Sequence, residues 1–203
     1  MTKNILEKSI LIVGVGGQGT LLASRVLGNA AISMGYDVKL SEVHGMSQRG
    51  GSVVTYVRYS EGKVASPIIS LGEADVILAF EELESARSIE YLKKDGLLFV
   101  NKQRILPMPV ITGVEKYPEG IEEAIAEQSI RYKAFDAFAL AEKAGSGKAV
   151  NIVLIGALAA SSVLEELSKE VWQKALEQTV PAKLLEVNKK AFDLGFEAYS
   201  TAD

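Results

Sequence analysis

The chain has 203 residues, of which 48% are hydrophobic and 24% are charged, values typical of a globular domain that can bury a full core. Its formal net charge is −4 and it has no run of five basic residues, so we expect no binding to nucleic acid or to a membrane. It contains no cysteine and a single histidine, which excludes disulfides, cysteine-bound iron–sulfur clusters and multi-histidine metal sites. We therefore expect one domain over residues 1–203, cytoplasmic and without a metal of its own.

A strand, a glycine-rich turn and a helix open the chain. Residues 8–14 are an apolar run that predicts a buried strand, and Thr20–Met34 carries apolar residues at helical spacing. Tyr36–Val43 predicts a second strand, so the first 43 residues are expected to form one βαβ unit. A second βαβ unit is predicted from a strand at Ala74–Phe80, a helix at Glu81–Lys94, a turn at Asp95-Gly96 and a strand at Leu97–Asn101.

The remaining segments complete an α/β pattern. We expect strands at Ser52–Tyr59 and Tyr132–Phe135, an irregular connection over residues 105–120, and helices at Gly120–Gln128, Phe138–Ala144, Asn151–Leu164, Ser168–Thr179 and Lys183–Tyr199. Gly145-Ser146-Gly147-Lys148 lacks the spacing of a phosphate loop, so it predicts a helix break. The fold predicted is α/β and Rossmann-like: an open, mainly parallel sheet with helices on both faces and a helical C-terminal portion.

The turn after the first strand, GVGGQG, has the G-x-G-x-x-G spacing of a dinucleotide-binding loop. Glycines let the backbone approach a phosphate, and the following helix N-terminus favours an anion. Glu42, near the end of the second predicted strand, stands where such a site would hold the ribose. The alternative is that the glycines only allow a tight turn between strand and helix, with or without a ligand.

A second loop, EVHGMSQRGG, begins where the second predicted strand ends. In a parallel sheet this places it at the same edge as the glycine turn. Arg49 could present its guanidinium to a carboxylate or phosphate, or it could pair with Glu42 or a carbonyl and only hold the loop. His44 could move a proton near neutral pH, although a hydrogen-bonding role is more common for one loop histidine. Arg49 and His44 are thus the weak candidates for catalytic groups.

Two further groups of polar residues, three glutamates and one asparagine, are expected to stabilise helix ends rather than to bind a ligand. Glu81, Glu82 and Glu84 follow a strand and are expected on the solvated N-terminus of a helix rather than as paired catalytic carboxylates. Asn151 begins an apolar helix, so we expect it to cap that helix, with a contact to the first loop as the less favoured alternative.

Four segments together resemble the gamma-type domain of the 2-oxoacid:ferredoxin oxidoreductases. They are GVGGQG, EVHGMSQRGG, the later KAVNIVLIGALAA and the closing LEVNKKAFDLGFEAY. The resemblance extends from about residue 8 to residue 199, and within the family the length is most similar to the beta subunits of the indolepyruvate enzymes. It implies a subunit of an enzyme that oxidatively decarboxylates a 2-oxoacid to an acyl-CoA and passes electrons to ferredoxin.

The resemblance also implies where the cofactors lie. Thiamine diphosphate, magnesium and [4Fe-4S] clusters belong to a larger alpha subunit, and this chain is expected to bind none of them alone, since it has no cysteine and no thiamine-binding motif. Coenzyme A is the co-substrate, and the two loops are expected to face it and the partner's active site. The residues implied are Gly14, Gly16, Gly17, Gln18, Gly19, Ser47, Gln48, Arg49, Gly50 and Gly51.

Two other functions remain open from the sequence. One is a small NAD(P)-binding protein that uses the same turn with Glu42 on the ribose. The other is a regulatory or scaffold domain whose glycine loop binds nothing. Tight binding of a dinucleotide by the isolated chain would favour the first, and an adjacent gene for a thiamine enzyme would favour the oxidoreductase subunit over both.

Overall fold

The computed structural model describes residues 5–45 and 50–201. Its strands are β1 (Glu7–Val15), β2 (Asp37–His44), β3 (Ser52–Ser60), β4 (Ala74–Ala79), β5 (Leu92–Asn101) and β6 (Arg131–Phe135). Its α-helices are α1 (Thr20–Ser33), α2 (Glu82–Ser88), α3 (Met108–Ile111), α4 (Ile121–Ala126), α5 (Ala137–Ala144), α6 (Val150–Ala160), α7 (Lys169–Thr179) and α8 (Leu185–Thr201).

One six-stranded sheet has the order β2-β3-β1-β4-β5-β6. The pairs β1–β4, β4–β5 and β5–β6 are parallel, whereas β3 is antiparallel to both β1 and β2. Five strands therefore run in one direction and β3 runs against them. Since the carboxyl ends of β1, β2, β4, β5 and β6 lie at one edge, that edge is where an α/β sheet of this kind binds ligands.

The antiparallel β3 corrects the predicted first βαβ unit. β1 and β2 do run in the same direction, but β3 lies between them, so they are separated by two strand spacings, roughly 10 Å. The cause is the short connection between β2 and β3, because a parallel crossover needs a dozen or more residues and a shorter loop can only make an antiparallel hairpin. The second βαβ unit, β4–α2–β5, is confirmed.

Side chains alternate between two cores on the faces of the sheet. Ile10 and Ile12 of β1 are buried on the face covered by α1, α5, α6, α7 and α8. Leu11 and Val13 are buried on the opposite face, together with Ile121 and Ile125 of α4 and the partly buried Leu83 of α2. The predicted fold class, a mainly parallel sheet with helices on both faces and a helical C-terminal portion, is confirmed.

The boundary between α2 and β5 differs from the prediction. The helix expected to reach Lys94 ends at Ser88, and after one 3-10 turn the strand begins at Leu92. The predicted turn at Asp95-Gly96 lies inside β5, opposite a register shift between Ala74 and Val76 of β4. A Cβ on Gly96 would lie 3.0 Å from the Ala74 carbonyl oxygen, so the glycine allows this irregularity in the strand.

Helices α6 and α8 approach each other closely through two glycines. A Cβ on Gly156 of α6 would lie 2.0 Å from the Phe192 carbonyl oxygen, and one on Gly195 of α8 would lie 1.9 Å from the Val153 carbonyl oxygen. The predicted helix over Asn151–Leu164 is shorter than expected, because Ser161 is extended and a 3-10 turn follows. Among the described residues, no helix is both long and apolar enough to cross a bilayer.

Candidate active-site edge

Two loops meet at the carboxyl edge of the sheet. We call residues 14–19 the glycine loop and residues 45–51 the hairpin loop, which joins β2 to β3. The Gly16 N–H donates a hydrogen bond to the Gly51 carbonyl oxygen (2.9 Å), and Val15 pairs with Ser52 directly beyond it. The predicted adjacency of the two loops is therefore confirmed, and a backbone hydrogen bond joins them.

Part of the hairpin loop lies outside the described residues. Ser47, Gln48 and Arg49, which were predicted to face a ligand, belong to this part, so their role stays a prediction. Gly50 and Gly51 are described, and Gly50 has a φ of +77°, a conformation that favours glycine.

Gln18 fixes the glycine loop to two neighbouring strands. Its side-chain oxygen accepts from the Val15 N–H (2.8 Å), and its amide nitrogen donates to the Phe80 carbonyl oxygen after β4 (2.8 Å) and to the Gln103 side chain after β5 (3.2 Å). A Cβ on Gly14 would lie 2.8 Å from the Gln18 side-chain oxygen, so the glycine makes room for this amide. The Gln18 side chain therefore holds the turn in shape.

Asn151 contacts the glycine loop, which is the interpretation that the sequence favoured less. It is buried in the first turn of α6, where its amide nitrogen donates to the Gly19 carbonyl oxygen (3.1 Å). The N-cap of α6 is Ala149, so Asn151 is not the N-cap as predicted, although its side-chain oxygen accepts from the Ile152 N–H (2.9 Å) in the first turn. Gly19 has a φ of +83°, and a Cβ there would lie 2.7 Å from the Asn151 amide nitrogen.

Glu42 is held by two hydroxyl groups of the protein itself. One carboxylate oxygen accepts hydrogen bonds from the Thr20 hydroxyl (3.2 Å) and the Thr55 hydroxyl (3.1 Å). Although β3 lies between β2 and β1, the Glu42 carboxylate reaches the start of α1, where it is held between Thr20 and Thr55. In a dinucleotide site the third glycine allows close packing of the helix on the strand, whereas here Gly19 precedes α1 and contacts α6.

The glutamates after β4 are buried, so the predicted solvated helix N-terminus is wrong. Glu81 is 1% exposed and caps α2 by accepting from the Glu84 N–H (3.0 Å). Its other carboxylate oxygen accepts from the Ile105 N–H (3.1 Å) and the Tyr117 hydroxyl (2.6 Å). Burial, and next the hydrogen bond to Glu81, raise the pKa of Tyr117, so Tyr117 remains a donor to this carboxylate.

The next two glutamates connect α2 to its surroundings. Glu82 is paired with Arg104, whose Nε lies 2.5 Å from the carboxylate. Glu84 accepts from the Ser52 hydroxyl (2.5 Å) and is paired with Arg87 (2.7 Å). Because Ser52 directly follows the hairpin loop, Glu84 ties that loop to α2. Sequence reasoning missed this contact, since the glutamates and Ser52 are far apart in the chain.

His44 is exposed at the end of β2, and its Nδ1 lies 3.1 Å from the Gly45 carbonyl oxygen.

Three clefts surround the glycine loop, and His44 lines one of them. Cleft A, about 240 Å³, includes Val15, Gly51, Ser52, Glu84, Pro107 and Met108. Cleft B, about 410 Å³, includes Gly16, Thr20, Glu42, His44 and Val53. Cleft C, also about 410 Å³, includes Gly17, Gln103, Phe138, Gly147, Lys148 and Val150.

Cleft C gives the predicted helix break a second role. Gly145 ends α5 in the left-handed conformation, as the predicted helix break requires, and a 3-10 turn over Gly147–Ala149 follows. This break presents Lys148 to the cleft beside Gly17. Among the described residues that line cleft C, Lys148 is the one that carries a charge. Cleft A is lined by two carboxylates, Glu81 and Glu84, and by Arg87.

Comparison with known proteins decides the family. A model of the pyruvate ferredoxin/flavodoxin oxidoreductase family matches residues 9–198. The chain belongs to this family. It is 47% identical over 195 residues to the indolepyruvate oxidoreductase subunit IorB of Pyrococcus horikoshii, which covers 95% of this chain and 96% of that one. The resemblance seen in the four sequence segments is thus confirmed, and the chain is a subunit of a heteromeric 2-oxoacid:ferredoxin oxidoreductase.

Solved structures in the family share the fold. The gamma subunit of a keto/oxoacid ferredoxin oxidoreductase from Geobacter sulfurreducens is 29% identical, with a TM-score of 0.70 and coverage of 96% of this chain and 99% of that one. A 2-oxoglutarate:ferredoxin oxidoreductase chain from Magnetococcus marinus, solved with 2-oxoglutarate, coenzyme A and succinyl-CoA, is 18% identical with a TM-score of 0.72. The match covers 97% of this chain but 32% of that one, so the same fold is one part of a longer polypeptide there. A dinucleotide-binding function finds no support.

Proposed function

We propose that the chain is the small subunit of an indolepyruvate-type ferredoxin oxidoreductase, which oxidatively decarboxylates an aryl 2-oxoacid to its acyl-CoA. The observation that carries the proposal is the 47% identity to an indolepyruvate oxidoreductase subunit along almost the whole of both chains. Thiamine diphosphate, magnesium and the [4Fe-4S] clusters are assigned to a larger alpha subunit, which passes electrons to ferredoxin. The absence of cysteine from this chain supports that division.

The chain's own contribution is assigned to the loop edge. The glycine loop and the hairpin loop, including Ser47, Gln48 and Arg49, face the partner's active site and receive coenzyme A. Cleft C suits the phosphorylated end of that ligand, since it combines Lys148 with the backbone of Gly17. Cleft A is less suited to phosphates, because the carboxylates of Glu81 and Glu84 line it.

The catalytic chemistry itself is assigned to the partner. His44 is exposed and its Nδ1 lies beside a backbone carbonyl, so we assign it a hydrogen-bonding role rather than a proton-transfer step. Arg49 keeps its proposed role as the charged contact of the hairpin loop. We also infer that residues 1–203 form one gamma-type domain and that the enzyme acts in the cytoplasm.

Co-expression with the larger subunit from the same genome tests the proposal. The anaerobically purified complex is expected to reduce ferredoxin with indolepyruvate and coenzyme A, and to do so much more slowly with pyruvate or 2-oxoglutarate. Neither subunit alone is expected to show the activity. A larger subunit that is fully active without this chain would contradict the proposal.

Calorimetric titration of the isolated chain separates the proposal from the dinucleotide alternative. We expect no heat of binding from NAD(H) or NADP(H) at concentrations up to the millimolar range, because one carboxylate oxygen of Glu42 already accepts from two threonine hydroxyls and Gly19 is packed against Asn151. Micromolar binding of either dinucleotide would contradict the assignment of the glycine loop to the partner interface.

A further inference from the structure

A short apolar projection stands beside the loop edge. Residues 106–114, which we call the apolar knob, include α3 and four large hydrophobic side chains that face solvent. Leu106 is 48% exposed, Met108 63%, Ile111 62% and Val114 78%. Exposed hydrophobic side chains concentrated in this way, four within nine residues, are typical of a surface that contacts another protein.

The knob is held in shape by its own backbone. The Val110 and Ile111 N–H groups donate to the Pro107 carbonyl oxygen (3.0 Å each), and the Val114 and Glu115 N–H groups donate to the Pro109 carbonyl oxygen (2.9 and 3.0 Å). Pro107 and Pro109 also fix two φ angles. A segment ordered in this way loses little conformational entropy when a partner covers it.

The knob is continuous with the proposed active-site edge. Pro107, Met108 and Pro109 line cleft A together with Gly50 and Ser52. A protein that approaches the hairpin loop from this side therefore also meets the knob. The Glu81 carboxylate anchors the start of this segment by accepting from the Ile105 N–H.

The surface that follows the knob is acidic. Residues 115–127 contain five glutamates and one lysine, and Glu115, Glu119, Glu123 and Glu127 are exposed. Two knobs from two copies of this chain would bring these like charges together in a symmetric contact, which is unfavourable. The complementary surface is an apolar groove with a rim of lysine or arginine side chains.

We propose that the apolar knob is the docking element for the larger subunit of the enzyme, inserted into an apolar groove with a basic rim. The inference rests on the proposed function, since it takes the partner to be the subunit that this chain serves. Met108 and Ile111 supply the buried centre of the contact and the glutamates its polar rim. In relatives where this fold is one part of a longer chain, we expect the equivalent surface to pack within the polypeptide.

The test compares two double variants in the complex with the larger subunit. M108D/I111D places two charges at the centre of the knob, and I68D/L71D places them on a similarly exposed apolar pair before β4, at the opposite edge of the sheet. We expect M108D/I111D to weaken the complex at least 100-fold, measured as the dissociation constant by biolayer interferometry. The control should change it less than 3-fold, and circular dichroism and melting temperature should show that both variants fold.

The outcomes separate the inference from the function on which it rests. If the wild-type chain forms the complex and M108D/I111D binds equally well, the knob is not the docking element although the proposed function stands. If the wild-type chain forms no complex, both are overturned. If the wild-type chain alone sediments as a dimer that M108D/I111D converts to a monomer, the occupant is a second copy and the inference is wrong. Slower amide exchange at Val110 and Ile111 in the complex than in the free chain would support it independently.

Discussion

At the residue scale, two amide side chains set the shape of the glycine loop. Gln18 holds the loop to the ends of β4 and β5, and Asn151 holds it to α6. Both side chains donate to oxygen atoms of the protein, Asn151 to the Gly19 carbonyl and Gln18 to the Phe80 carbonyl and the Gln103 side chain. The turn that resembles a nucleotide site is thus completed by the protein itself.

Substitution of alanine for two glycines of this loop should lower the free energy of unfolding by different amounts. Gly17 and Gly19 both have positive φ, but a Cβ on Gly17 meets nothing within 4 Å while one on Gly19 meets Asn151. We expect Gly17→Ala to lower the free energy of unfolding by about 1–2 kcal/mol through backbone strain alone. Gly19→Ala should lower it by a further 1–3 kcal/mol or so through overpacking, measured by urea denaturation.

The Asn151→Ala background provides the control for that comparison. Removing the amide leaves only the strain, so the additional cost of Gly19→Ala should disappear in the double variant. Equal costs for the two glycines in the wild-type background would contradict the contact between Gly19 and Asn151.

Tyr59 makes the stability of the fold depend on pH in the alkaline range. It is fully buried in β3 and its hydroxyl donates to Glu166 (2.5 Å). Burial, and next this hydrogen bond, raise its pKa above the ordinary value of 10.0. Because the unfolded chain ionises first, this stabilisation is complete below about pH 10 and decreases as pH rises further.

Tyr59→Phe should reduce that dependence, leaving the part that comes from other tyrosines with a raised pKa, such as Tyr117. The variant loses a hydrogen bond and should be less stable by about 1 kcal/mol at pH 8. Between pH 10 and 11.5 the wild-type chain should lose up to about 1.4 kcal/mol per pH unit from this group, and the variant should not. Parallel curves of unfolding free energy against pH, from urea titrations, would show that Tyr59 is not the source.

At the element scale, the α6–α8 contact explains two of the four segments that carry the family resemblance. KAVNIVLIGALAA contains Gly156 and LEVNKKAFDLGFEAY contains Gly195, and the two glycines let the helix backbones touch. The two segments, which are far apart in sequence, are thus one packing unit. Its stability depends on the absence of a side chain at either position.

Gly195→Ala should therefore be among the most damaging single-methyl changes in the chain. Its Cβ would overlap the Val153 carbonyl oxygen, so the helices would have to separate, and we expect a loss of about 3 kcal/mol or more in the free energy of unfolding. Gly28→Ala in α1 is the matched control, since its Cβ meets only Val38 at 3.8 Å. That variant should be unchanged or more stable by up to about 1 kcal/mol, because alanine favours a helix.

Local patterns in the sequence predicted most elements of the sheet and helices. Apolar runs located β1 and β4, and helical spacing located α1 and α7, because these signals depend only on neighbouring residues. The position of β3 and the start of β5 depend on pairing between strands, which periodicity does not show. Likewise, GVGGQG marked the loop edge, but the contacts of Asn151 with Gly19 and of Glu84 with Ser52 join distant parts of the chain.

At the scale of the whole molecule, the two loops and the apolar knob lie at the same end of the sheet, which we propose faces the partner. The glycine loop, the hairpin loop and Pro107–Pro109 surround or adjoin cleft A. Docking of this side would cover the exposed hydrophobic side chains of the knob and the mouth of the cleft in one contact. The free chain should consequently be less stable than the chain in its complex.

Thermal unfolding should show that difference. A partner present at 100 times its dissociation constant stabilises the folded state by about 2.7 kcal/mol. For a chain of this length this corresponds to a rise in Tm of roughly 5–10 °C. Scanning calorimetry of the complex, followed through the transition of this subunit, measures the shift. An unchanged Tm at saturating partner would contradict a contact of this kind.

The contact of Asn151 with Gly19 also determines when the binding edge is complete during synthesis. The glycine loop is translated within the first tenth of the chain. The donor to its Gly19 carbonyl oxygen, the Asn151 amide, lies on α6, and α8 packs against α6 through Gly156 and Gly195. A ribosome-bound chain that lacks α8 can form the turn without fixing its position. We therefore expect the glycine loop to reach its final position only after α8 has been synthesised and has packed on α6.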